Sequence, residues 1–134
     1  MKPTLRNILA VVTGTVACMV LNGMLLGAMM NINPAPLGFD PEKFDTYSLL
    51  QAKHLINPFI AHAIPSLIGG LIAALLAVSR RMTFALIVGA IHVLGGIAAA
   101  FMIPAPAWFV ALDLAVAYIP MAWLGGRLGV RVRS

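Results

Sequence analysis

The sequence predicts an all-α integral membrane protein: a single transmembrane domain over residues 1–134, built as a four-helix bundle. Both termini are expected in the cytoplasm, with a short amphipathic helix on the outer side before the second span. Three observations carry this reading. Hydrophobic residues make up 61% of the chain and charged residues only 10%, against roughly 25% charged in soluble domains. Four apolar stretches are each long enough for the ~20 residues that a helix needs to cross a bilayer. The basic residues are also unevenly placed. Lys2, Arg6, Arg80, Arg81, Arg127, Arg131 and Arg133 flank one side of the stretches, while only Lys43 and Lys53 flank the other. Lys and Arg accumulate on the cytoplasmic side of membrane proteins, so the biased side is the inner one.

The first span is expected over residues 8–30, after Lys2 and Arg6. A basic start, an apolar run and Cys18 also suit a cleaved lipoprotein leader. Thr15 fits that pattern poorly, and apolar sequence continues from Met19 to Met30, so an uncleaved span is the better reading. The connection from Asn31 to His54 opens with turn formers, Asn33-Pro-Ala-Pro-Leu-Gly38. Asp40 followed by Pro41 then reads as an N-cap with proline at the first helical position. Phe44, Tyr47, Leu50 and His54 recur at helical spacing, which gives the amphipathic outer helix. The second span is expected over 55–78 and the third over 83–103, joined by Arg80 and Arg81. Pro104-Ala-Pro106 makes a tight turn, and Trp108 and Phe109 start the fourth span, 108–126, at head-group level.

The net charge of +5 does not indicate nucleic acid, because the basic residues flank apolar segments instead of gathering on a soluble face with aromatics. They suit the head groups of anionic lipids, so the bilayer is the expected partner. One cysteine excludes an intrachain disulfide and any multi-cysteine metal or iron–sulfur site. The eight methionines are scattered, whereas a copper site would cluster them with other soft ligands. No serine–histidine nucleophile, phosphate-cradling glycine loop or catalytic carboxylate pair stands out. No catalytic residue, metal or cofactor is expected.

The informative residues lie inside the spans. Between Arg81 and Arg127 the only formal charge is Asp113. A carboxylate in hydrocarbon costs several kcal/mol, so it marks a functional site unless a partner compensates it structurally. Helical spacing aligns polar residues with small ones: Gly14, Cys18 and Asn22 on the first span; His62, Ser66, Gly69 and Ala73 on the second. The third carries Gly89, His92, Gly96 and Ala100, and the fourth Asp113, Ala117 and Pro120. Small residues allow close helix approach in lipid, so the four stripes are expected to face one another.

A rise of ~1.5 Å per residue puts Asn22, His62 and Asp113 at a similar depth, ~10 Å below the outer boundary. These three form the candidate ion or proton site. His92, Ser66 and His54 are secondary polar residues, with His92 nearer the midplane. Pro58, Pro65 and Pro120 each lack an amide hydrogen and so free the carbonyls of His54, Ala61 and Val116. Gly23-xxx-Gly27 is a weak signal for a helix contact.

Two function classes follow. In the first, the chain is a small ion- or proton-coupled transporter, channel or subunit of one, using Asp113, His62 and Asn22; a conduction path through so small a bundle calls for a closed homo-oligomer. In the second, it is a non-catalytic accessory or assembly protein whose polar cluster fastens helices. A histidine-ligated metal or haem is a third class, disfavoured because His62 and His92 differ by about one turn in depth. The motifs Asn57-Pro-Phe-Ile-Ala-His-Ala63, Leu94-Gly-Gly96, Trp108-Phe with Asp113, and Tyr118-Ile-Pro-Met-Ala-Trp-Leu-Gly-Gly126 resemble a group of small bacterial four-span inner-membrane proteins of unassigned function. The resemblance covers most of the chain after Lys53. It implies a bacterial plasma membrane and no particular activity.

Overall fold

The computed structural model describes all 134 residues and is entirely helical, with five α-helices and one 3-10 segment. Helix α1 runs Pro3–Ile32, the 3-10 segment Phe44–Leu49, α2 Ala52–Leu76, α3 Arg81–Met102, α4 Ala107–Val116 and α5 Ile119–Val132. Four helical stretches are long and apolar enough to cross a membrane: Pro3–Ile32, Ala52–Leu76, Arg81–Met102 and Ala107–Val132. Their outward faces are apolar. Ile8, Val12, Val16, Met19 and Met24 on α1 and Leu94 on α3 are all exposed. A surface of this kind is stable only in a hydrocarbon solvent.

The interior is built from small residues instead of large ones. Ala10, Ala61, Ala73, Ala74, Ala77, Ala85, Ala117 and Ala122 are buried, which lets helix backbones touch. Helix α2 is central and packs on α1, α3 and α5. At the α1–α2 contact a Cβ on Gly14 would come within 2.6 Å of the Gly69 carbonyl oxygen, and one on Gly69 within 2.8 Å of the Gly14 oxygen. At the α2–α5 contact a Cβ on Gly125 would overlap the Leu67 carbonyl, and one on Gly70 the Ala122 carbonyl. By contrast, an added Cβ on Gly23 or Gly27 meets nothing within 4 Å, so that pair marks no contact inside the chain.

The two termini and the α2–α3 turn lie at one end and hydrogen-bond one another there. The last carbonyls of α2 have no intrahelical partners, and cationic side chains satisfy them. Arg6 Nε donates to Leu76 at 3.2 Å, and Arg133 donates to Leu75 at 2.6 Å and Ala77 at 3.2 Å. Asn7 clasps the turn itself, donating to Ser79 Oγ at 3.0 Å and accepting from the Val78 amide at 2.9 Å. The turn is completed by Arg80 in the left-handed region, φ 42°.

Two expectations are corrected. The outer segment is no continuous amphipathic helix from Pro41 to His54; residues 40–43 form a turn, Phe44–Leu49 a 3-10 helix, and Leu50 and Gln51 are extended before α2 begins. Asp40 does bond locally, but its carboxylate accepts from Glu42 N at 3.0 Å, and Thr46 folds back to share its one hydroxyl hydrogen between the Asp40 and Lys43 carbonyls. These side-chain bonds to the backbone compete with α-helical ones. The fourth span, expected as one helix over 108–126, extends to Val132 and is divided at Ala117–Tyr118. Pro120 consequently sits in the first turn of α5, where a missing amide hydrogen costs nothing. The division also changes which face of α5 looks inward: Pro120 is exposed, and Ala122, Gly125, Gly126 and Gly129 are buried in its place.

Candidate functional site

The site is assembled at this division in the fourth span. Asp113, on the last turn of α4, is 5% exposed. His62 of α2 brings Nδ1 to 3.0 Å from Asp113 Oδ1 and 2.9 Å from Oδ2. An ionised carboxylate can only accept, so the hydrogen of this contact sits on Nδ1. The second ring nitrogen, Nε2, is left with its lone pair in the neutral imidazole. It has no protein partner, yet it is not sealed off.

Tyr118 completes the arrangement and was not singled out as a site residue by sequence. Its hydroxyl donates to Asp113 Oδ2 at 3.2 Å, and its ring stacks on His62 with centroids 5.2 Å apart and planes 26° from parallel. Residues five apart on a straight helix point ~140° apart around the axis and would not meet. Tyr118 reaches Asp113 because its own backbone, φ −112° and ψ −81°, leaves the helix between α4 and α5. The available signal was Pro120, two residues later: with no amide hydrogen for Val116 it weakens the helix just where Tyr118 lies. Gly96 of α3 makes room for the phenol, since a Cβ there would come within 2.7 Å of the Tyr118 hydroxyl.

The structure places the other expected residues differently. Asn22 donates its amide to the Ala61 carbonyl at 2.7 Å, the same carbonyl that Pro65 frees four residues on. Ala61 adjoins His62 in the chain, but Asn22 bonds neither His62 nor Asp113. Ser66 is 1% exposed, and its Oγ has no hydrogen-bond partner. His92 donates Nδ1 to the Val88 carbonyl at 2.9 Å within its own helix, leaving Nε2 buried and without a partner. His54 uses Nδ1 to accept the Gln51 amide at 2.9 Å, so its hydrogen sits on Nε2. Asn57 is a buried polar residue of a different kind. Asn33 and Asn57 bond reciprocally at 2.8 and 2.9 Å, and Asn33 also donates to Lys53 at 2.6 Å, tying the end of α1 to the start of α2.

A cavity of about 330 Å³ opens beside the pair, lined by His62, Asp113 and Tyr118 at one end and by His54 and Asn57 on the same helix. Phe39, Tyr47 and Leu50 of the outer segment also line it. Most of its wall is apolar, and no Lys or Arg lines it. Chemically, the arrangement can take up a proton at Nε2 while the carboxylate at Nδ1 offsets the new charge. The hydrogen bonds to both carboxylate oxygens hold the imidazole in one orientation and one tautomer. Comparison with protein-family models, curated proteins and solved structures found no match to this chain.

Proposed function

We propose that the chain is a small proton-coupled transporter of a bacterial inner membrane, folded as a four-helix bundle with both termini in the cytoplasm. Its proton is carried by the Asp113–His62 pair. The single observation that carries this reading is a carboxylate–imidazole contact of 2.9 Å on the wall of a cavity. An intramembrane carboxylate held only to fasten helices has no need of an accessible proton acceptor next to it. The divided fourth span is consistent with transport. Discontinuous membrane helices recur beside the binding sites of transporters, and here the break at Ala117–Tyr118 adjoins Asp113. The cationic end, with seven of the nine Lys and Arg residues, supports the cytoplasmic assignment of the termini and, with it, an Asp113 site toward the outer leaflet.

The test is proton flux into liposomes that contain wild-type protein or Asp113→Asn, with both shown to be folded and equally incorporated. Asparagine keeps the shape of the side chain but cannot balance a charged imidazole. Flux in the wild type that falls to the protein-free background in the variant supports the proposal. Equal flux in both proteins, or none in wild type across pH and potential, overturns it.

A further inference from the structure

We infer that the cavity beside His62 binds a neutral aromatic alcohol, a molecule of the phenol class, whose hydroxyl donates to His62 Nε2. The inference deepens the transport reading by naming the class of substrate, and it rests on that reading for its coupling to protons.

The argument begins with charge. The wall contains no Lys or Arg, and its one carboxylate already accepts from His62 and Tyr118. An anion would find no fixed cation there. A hard metal ion would find too few free oxygens, because it requires about six or more, and an ammonium would have to share the one carboxylate with His62 and Tyr118. A neutral ligand is the chemistry that this wall accepts without an unpaired charge.

Polarity narrows it further. In the neutral imidazole Nδ1 carries the hydrogen given to Asp113, so Nε2 is a fixed acceptor. It is matched by a hydrogen-bond donor, of which a hydroxyl is the simplest neutral one, and not by a carbonyl or ether, which have no hydrogen to give. The lining supplies the last restriction. Gly96, Ala99 and Ala100 line the cavity with small side chains, and Phe39, Phe109 and Tyr118 supply aromatic surfaces. An aromatic ring suits such a lining, and the volume of about 330 Å³ lies at the small end of the ~300–1,000 Å³ typical of pockets for organic ligands. Because the hydroxyl occupies the atom that takes the proton, ligand and proton exclude one another at His62, as exchange between them requires.

The probe is 4-propylphenol, neutral at pH 7 as the tyrosine phenol is, compared with propylbenzene, which lacks only the hydroxyl. Binding is measured by calorimetry on the full chain in lipid nanodiscs, with empty nanodiscs subtracted for partitioning. The expected result is saturable binding of one 4-propylphenol per chain, at least about tenfold tighter than propylbenzene. His62→Phe keeps an aromatic ring without the acceptor and should abolish that difference. Ala100→Leu fills the cavity without touching the pair and should remove saturable binding of both compounds.

Equal affinity for the two compounds in wild type overturns the inference, as does an undiminished preference in His62→Phe. Saturable binding that survives Ala100→Leu also overturns it. Should His62→Phe not fold, the paired compounds and Ala100→Leu still decide. Binding does not depend on flux, so the two readings fail separately. Phenol binding without proton flux refutes transport alone, and Asp113-dependent flux without phenol binding refutes the substrate class alone.

Discussion

Replacing Asn22 with alanine tests whether this residue acts through the carbonyl that Pro65 leaves free. In the native chain, Asn22 Nδ2 is 2.7 Å from the Ala61 oxygen, and residue 65, four positions on, has no amide hydrogen to offer. Interhelical hydrogen bonds in membrane proteins contribute ~0.6 kcal/mol on average and up to ~1.7. Leaving a buried acceptor unpaired costs ~1–3 kcal/mol. The alanine variant should therefore lose about 1–2 kcal/mol. Pro65→Ala restores an amide at the position that normally serves Ala61. It also removes buried ring atoms, since Pro65 is among the fully buried side chains, but a double-mutant cycle subtracts that common cost. In the Pro65→Ala background, Asn22→Ala should cost no more than ~0.5 kcal/mol, a coupling of about 1 kcal/mol. The assay is reversible unfolding in mixed bicelles by titration with a denaturing detergent, followed by circular dichroism. An equal cost of Asn22→Ala in both backgrounds would refute the reasoning.

Four further outcomes follow from backbone geometry. Gly125→Ala should destabilise by ~1–3 kcal/mol in the same assay, because the new Cβ meets the Leu67 carbonyl and the Leu71 amide, which are backbone and cannot swing aside. Gly27→Ala should be neutral or stabilising by up to ~1 kcal/mol, since its Cβ enters open space and alanine is the better helix former. A larger loss at Gly27 than at Gly125 would show that the α2–α5 contact is wrongly described. Arg80→Gly should raise stability by up to ~1 kcal/mol, because Arg80 holds φ 42° at a cost glycine does not bear. Arg80→Val should lower stability, and the reverse order would exclude the left-handed turn.

The pairing of His62 with Asp113 was foreshadowed by residue counts. Apolar stretches about 20 residues long have a defined position relative to a bilayer, and a helix rises by a fixed amount per residue. His62 and Asp113 could be assigned to one layer on that basis, and the structure brings them into contact. The prolines were informative in the same way, because a missing amide hydrogen is a covalent fact: Pro65 frees the Ala61 carbonyl whatever the tertiary structure is. What answers that carbonyl is a tertiary matter. Asn22 takes it, and so bonds neither Asp113 nor His62.

Where the fourth span would divide was less accessible. Pro120 weakens the helix around Val116 without fixing which residue departs from it, and that choice is set by the room Gly96 leaves for Tyr118 and by the Asp113 carboxylate that its hydroxyl reaches. The outer segment failed as an α-helix for a related reason: Thr46 and Asp40 have local backbone partners as good as helical ones, and spacing does not weigh such alternatives. Composition, charge placement and proline positions, being local and covalent, thus determined four apolar helices, a single carboxylate within the last of them and the carbonyls in want of donors. Only the tertiary structure decided the partners, because a helix face is rotated by a single break in its backbone, and that break is settled by what the neighbouring helices leave open.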